Sequence, residues 1–241
     1  MAEELADTKQ TIAERFRGFY PVVLDVETAG FNPQTDALLE FAAITLKFDE
    51  NGNLVKNNSY HYDVEPFHGA NIVQANIDFI GINPFDPERK ATNEKTSLIE
   101  FFKAISKEVK AAGCKRAILV GHNGHFDYSF IKAATDRIAY KRSPFHPFSV
   151  IDTASLCALM LGQTVLSISC RTVGIEFDDL QAHGAMYDTD RECELFCYLV
   201  NRLKDLKGWP LTPDMAQAAI TANETTSYGR VKAQTTEVEN S

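Results

Sequence analysis

The stretch VVLDVETAG, residues 22–30, constrains this chain more than any other. Val22, Val23 and Leu24 run without a break into Asp25, and Glu27 follows with only Val26 between. A strand buried on both faces reads as a continuous apolar run. Side chains two apart on a strand project to the same face. The two carboxylates therefore stand side by side at the end of a buried strand, where they repel each other and desolvation adds to the cost. No Lys or Arg occurs from Pro21 to Ala37, so no local ion pair relieves them. A divalent cation would, and carboxylate oxygens suit Mg²⁺ or Mn²⁺. The plainer reading is a solvated strand end with two acids in a loop.

Other apolar runs predict strands at 19–26, 38–48, 59–64, 116–121 and 148–151. A Gly-Asn turn signal in DENGNLV makes the first three a meander. Helical spacing follows at Thr96 to Ala112, Phe126 to Ala139, Thr153 to Leu161 and Asp188 to Lys207. A meander followed by alternating strands and helices predicts an α/β fold with a mixed sheet flanked by helices. With 241 residues, 44% hydrophobic, the chain suits a single domain over 12–211. Residues 212–241 are polar, Thr-rich and aperiodic and read as a disordered tail; 1–11 look equally loose. No apolar run reaches 18 residues, MAEELADTKQ lacks the features of a signal peptide, and the five cysteines contain no C-x-x-C. A reduced, cytoplasmic protein is expected, with no membrane partner.

Acids recur at the ends of later strands. RAILVGHNGHFD runs into Asp127 and FSVID into Asp152. Sites gather at the carboxyl ends of strands in open α/β sheets. Asp152 could equally cap the helix that Asp-Thr-Ala opens, and Asp127 could pair with a helix dipole. In HGAMYD, His183 and Asp188 are five apart, about 140° from one face of a regular helix. They converge if His183 lies in the preceding loop, with Gly184, and Asp188 in the first turn. Asp190 competes with Asp188, and spacing does not choose between them.

Together D-V-E-T-x-G, H-N-x-x-F-D and H-x-x-x-x-D, in that order, resemble the DEDD exonuclease superfamily, histidine subgroup. The likeness extends from RFRGFYPVVLDVETAGFNPQTDALLE through KRSPFHPF and GQTVLS to LKGWPL, nearly the whole chain apart from its two ends. The resemblance implies a ribonuclease-H-like fold and a 3′-to-5′ exonuclease that uses two metal ions. It implies trimming of single-stranded 3′ ends of tRNA and other stable RNA, and activity on single-stranded DNA. It makes His183, Asp25, Glu27, Asp127 and Asp188 catalytic, with Asp152 in support. Asp25, Glu27, His183 and Asp188 become the ligands of two Mg²⁺, with Mn²⁺ as an alternative. In-line displacement between two ions suits such a set, and an imidazole can take the attacking water's proton. His122 and His125 read as loop residues, because the carboxylates favour a hard cation over zinc. His61, His68 and His146 show no pattern.

Most of the sixteen Phe belong to a core, but Phe31, Phe79, Phe126 and Phe148 sit in loops or polar stretches or beside the acids. The resemblance implies that such rings stack on the 3′-terminal bases, a contact worth roughly 1–3 kcal/mol per base. Near Phe79, this chain carries Ala75 where the family has an acidic residue. The net charge of −9 argues against a generic nucleic-acid binder but not against a local basic patch. Arg15, Arg17, Lys110, Arg116 and Lys141 are its candidates, although each alone reads as a solvated charge. The resemblance makes them a nucleic-acid-binding patch that faces the partner's catalytic centre in a homodimer. A DNA proofreading exonuclease would share the catalytic set. A silent binding module on this fold would lack an acid or the histidine, and here none is missing.

Overall fold

The structure, a computed structural model, describes residues 10–206 and Trp209. The chain divides into two compact units, Met1–Val200 and Asn201–Ser241; the architecture below is that of the first. The expected helix end at Lys207 and the expected tail from 212 lie outside the described residues, as do positions 1–9 of the expected loose N-terminus. Thr11, at its last position, is ordered: it makes a capping box with Glu14 on the short helix α1 (Ile12–Arg15).

The apolar run around Val22 forms β1 (Phe19–Thr28), the middle strand of a five-stranded sheet. β2 (Leu38–Phe48) pairs antiparallel with β1, and β3 (Leu54–Asp63) antiparallel with β2, which is the expected meander. On the other side β4 (Arg116–Gly121) lies parallel to β1, and β5 (Phe145–Asp152) parallel to β4. The order is β3-β2-β1-β4-β5, a mixed sheet of the ribonuclease-H-like kind. Parallel neighbours need long crossovers. α3 (Glu94–Ala111) makes the one into β4, and α4 (His125–Arg137) the one into β5.

α5 (Thr153–Leu161), α6 (Leu166–Thr172) and α7 (Ala185–Asp205) follow the sheet. The main core joins β1, β2 and β4 to Leu98, Phe101, Phe102 and Ile105 of α3, Phe130 of α4 and Phe196 of α7. A second cluster packs Cys157 of α5 and Cys170 of α6 on Leu195 and Leu199 of α7. A third, of Ala29, Ala37, Leu39 and Ile77, seats α2 (Gln74–Ile80) beside the end of β1. Among the described residues no single helix is long and apolar enough to cross a membrane.

Candidate active site

β1 outruns its parallel neighbour. Pairing of β1 with β4 ends at Val23 and Val120, so the Val26 N–H, between the two acids, finds no ladder partner in β4. It donates instead to Asp127 Oδ1 at 3.1 Å. Asp127 reaches this position because the chain doubles back tightly after β4. A methyl group on Gly121 would lie 2.5 Å from Gly124 Cα and 3.3 Å from Asp127 Oδ2. Only glycine permits that approach. Asp127 is buried in the first turn of α4.

The other wall is α7. Thr189 donates to the Ala42 carbonyl of β2 at 3.4 Å, which lays the start of the helix over the end of the sheet. His183 lies in the loop just before it, with a left-handed φ of 68°. Such a conformation is uncommon outside glycine, though histidine adopts it more readily than most residues. The turn lets the His183 N–H donate to Asp188 Oδ2 at 2.9 Å. Ligand atoms of Glu27, His183 and Asp188 all lie within 4.8 Å of one another. Asp188 Oδ1 is buried and has no hydrogen-bond partner. Asp190 is not part of this group: it pairs with Lys56 of β3 at 2.5 Å and with Arg191.

The acids perturb one another strongly. Burial, then the charges of Asp127, Glu27, Asp188 and Glu192, hold Asp25 well above the carboxylate range. Burial, then Asp188, Glu40 and Asp127, push Glu27 up to about 9. Burial pushes Asp127 up to about 7 against two backbone hydrogen bonds. It raises Asp188 as well, against the N–H and charge of His183. A crowded set of carboxylate oxygens, one of them unpartnered, with an imidazole beside them, fits a hard divalent cation.

Two further acids, outside the motifs, stand in this neighbourhood. Glu192 is buried one turn beyond Asp188, bonded to Thr153 Oγ1 at 2.7 Å, and burial pushes it up to about 8. Its signal was the i, i+4 spacing from Asp188, which places both on one helix face. Glu40 stands directly across from Glu27 in the β1–β2 ladder, held by His61 at 2.7 Å. Asp152 takes the cap reading. It accepts from Ala154 N, Asn123 N and Ser155 Oγ at 3.2, 2.9 and 2.5 Å, and its carboxyl is held below the usual range. His122 is bonded to Thr153 and Thr164. His125 opens α4 rather than lying in the loop.

The phenylalanines fall into three places. Phe31, 78% exposed, meets Phe126 at 6.3 Å between ring centroids. Phe79, whose polar stretch forms α2, lies 4.3 Å from the His183 ring. Phe148 meets His146 at 4.5 Å. Ala75 is exposed on α2. Of the basic candidates, Lys110 and Arg116 line one cavity of about 490 Å³, and Arg116 and Lys141 a second of about 260 Å³. Arg17, also left-handed (φ 54°), lies over Phe19. Arg15 lies over Phe16 at the end of α1.

The profile of the RNase T exonuclease family matches residues 22–196. Ribonuclease T of Escherichia coli strain K12 is 58% identical over 201 residues, 83% of this chain and 94% of that protein. Ribonuclease T of Shigella flexneri is 58% identical over 200 residues, covering 83% and 93%. Among solved structures, Escherichia coli exonuclease I with a dT13 oligonucleotide superposes with a TM-score of 0.60 at 18% identity, over 79% of this chain and 43% of that one. The zinc-bound form of the same enzyme with single-stranded DNA gives 0.61 at 18%, over 79% and 42%. The chain thus spans about two-fifths of the exonuclease I chains, and that likeness is one of fold.

Proposed function

The chain belongs to the RNase T exonuclease family, and on that premise we propose that it trims single-stranded 3′ ends of tRNA and other stable RNA, one nucleotide at a time, and acts on single-stranded DNA as well. The observation that carries this reading is the meeting of Glu27, Asp188 and His183 at one point, with a buried Asp188 oxygen left without a partner.

In this reading Asp25, Glu27, Asp188 and His183 hold two divalent cations, Mg²⁺ or Mn²⁺, at the end of β1. Two such ions supply positive charge to both the attacking and the leaving oxygen of an in-line displacement. Asp127 fixes the strand end through the Val26 N–H, so that Asp25 and Glu27 keep one orientation. The exposed His183 imidazole takes a proton from the attacking water, and Asp188 orients its loop through the His183 N–H. Phe31, Phe79, Phe126 and Phe148 stack on the last bases and exclude water from the reacting phosphate. Asp152 acts indirectly, by setting the start of α5. Arg15, Arg17, Lys110, Arg116 and Lys141 hold the phosphates of the RNA body, across the interface of a homodimer. All five cysteines are free thiols, which suits a reducing cytoplasm.

The test is end dependence. A 5′-labelled single-stranded RNA with a 3′ hydroxyl should shorten stepwise from its 3′ end. A 3′ phosphate should block it, and a blunt duplex should resist, because unpairing costs a few kcal/mol. Cleavage of a circular RNA would overturn the reading.

A further inference from the structure

β5 does not pair evenly with β4. Ala117 pairs with Phe145 and Leu119 with Val150, so two steps along β4 correspond to five along β5, and residues 146–149 bulge out of the ladder. Pro147 has no N–H, and its carbonyl accepts from the Tyr128 hydroxyl at 2.5 Å. The Phe148 and Ser149 N–H groups turn inward to a single acceptor, His146 Nδ1, at 3.4 and 3.0 Å. The imidazole stands edge-on to Phe148 (centroids 4.5 Å apart, 86° between planes) and to Phe19 (5.3 Å, 87°). Phe148 itself is 74% exposed. A large ring this exposed, on a bulge closed by one side chain, is held out rather than packed away.

We propose that His146 is a positioning residue for nucleic-acid binding: its Nδ1 lone pair closes the β5 bulge and so presents Phe148 to a base, and a proton on that nitrogen lets the ring go. The proposal rests on the reading that Phe148 stacks on substrate bases. Two N–H groups aimed at Nδ1 require the ring's own proton on Nε2. A proton at Nδ1 would set three N–H groups against one another. The charged groups facing the ring are Arg116 from β4 and Arg17 from the turn before β1; β1 adds Phe19, and α4 the neutral Tyr128. Burial and these two cations hold the imidazole below its ordinary value, so the bulge is closed at neutral pH. Phosphates drawn to Arg17 and Arg116 would favour the proton, so the effect belongs to mildly acidic conditions. The bulge lies on the edge strand β5, beside Ala117–Leu119 at the start of β4 and so next to Arg116.

The experiment is fluorescence anisotropy of a short single-stranded RNA with a 3′ hydroxyl, in chelator to prevent turnover, at pH 8 and pH 5.5. At pH 8, Phe148→Ala and His146→Ala should each weaken binding about tenfold, the size of one lost stacking contact. The double variant should be no weaker than either. His146→Asn, whose Oδ1 replaces Nδ1 as acceptor without titrating, should bind like the parent at pH 8 and escape the loss the parent suffers at pH 5.5. It also separates the role of Nδ1 from simple damage to β5. If Phe148→Ala weakens binding while His146→Ala does not, or the two losses multiply, Phe148 keeps its role and the proposal fails. The proposal also fails if His146→Asn weakens in acid as the parent does. If Phe148→Ala binds like the parent, the stacking role itself is wrong and the proposal goes with it.

Discussion

A carboxylate whose pKa is higher in the folded chain than in the unfolded one weakens the fold at neutral pH. Asp25, Glu27, Asp127 and Glu192 are all of this kind: burial and neighbouring acids hold Asp25 well above the carboxylate range and push the others up to about 9, 7 and 8 in turn. In the unfolded chain each ionises near pH ~4. Above that, the folded chain binds more protons, so stability falls as pH rises through the folded values. In chelator, the melting temperature should therefore drop between pH 5.5 and pH 8.5. Asp25→Asn should blunt the drop and melt several degrees above the parent at pH 8.5, at about 2–4 °C per kcal/mol for a domain of this size. Mg²⁺ should raise the parent much more than the variant. Parallel melting curves across this pH range would show that the cluster is not strained. At this scale the sequence was uneven in what it disclosed. Asp25 and Glu27 stood out because an uninterrupted apolar run ends in them. Glu192 did not, because in DTDRECE two pairs share the i, i+4 spacing, Asp188 with Glu192 and Asp190 with Glu194, and packing decides that Glu192 is buried against α5 while the second pair meets Lys56.

The element that matters most for geometry is the turn from β4 into α4. It carries Asp127 to the end of a strand belonging to a different part of the chain, and it depends on Gly121 and Gly124 lying almost in contact. Gly121→Ala should force that turn open, shift Asp127 from Val26, and lower turnover at least tenfold, more than it lowers affinity for RNA. Turnover at the parent rate in this variant, measured at saturating RNA, would show that Asp127 does not depend on the turn. Long elements were readable from periodicity, and α5 was found at its observed bounds. α1, α2 and α6, four to seven residues long, were not, because so few turns cannot display a 3.6-residue period. β5 starts at Phe145, three residues before the apolar run at 148–151, because Pro147 interrupts its pattern; the bulge is what accommodates that proline.

Over the whole molecule, a net charge of −9 repels RNA at long range, so attraction has to be local. Arg116 starts β4 and the acids lie beyond its other end, a strand of six residues or roughly 20 Å away. A patch at that remove is poorly placed for its own acids and suits a partner's, which is why the proposed homodimer forms part of the function. Replacing Lys110 and Lys141 should weaken RNA binding and flatten the slope of log affinity against log salt by about one to two. A mixed dimer of an Asp25→Asn subunit with a patch-deficient one should recover about half the parent's activity on long RNA. Full inactivity, with mixed dimers verified, would mean that each subunit uses its own patch. Sequence could nominate these cations but not gather them, because they come from α1, the turn before β1, α3, β4 and the loop after α4.

The most direct measurement is nucleotide release from a single-stranded RNA with a 3′ hydroxyl, after dialysis against chelator and then along a Mg²⁺ titration. Four acids and a histidine at one strand end predict no release in chelator, full recovery with Mg²⁺, and no recovery at any Mg²⁺ concentration for Asp25→Asn. Undiminished release in excess chelator, or an Asp25→Asn protein that Mg²⁺ restores, would contradict the account.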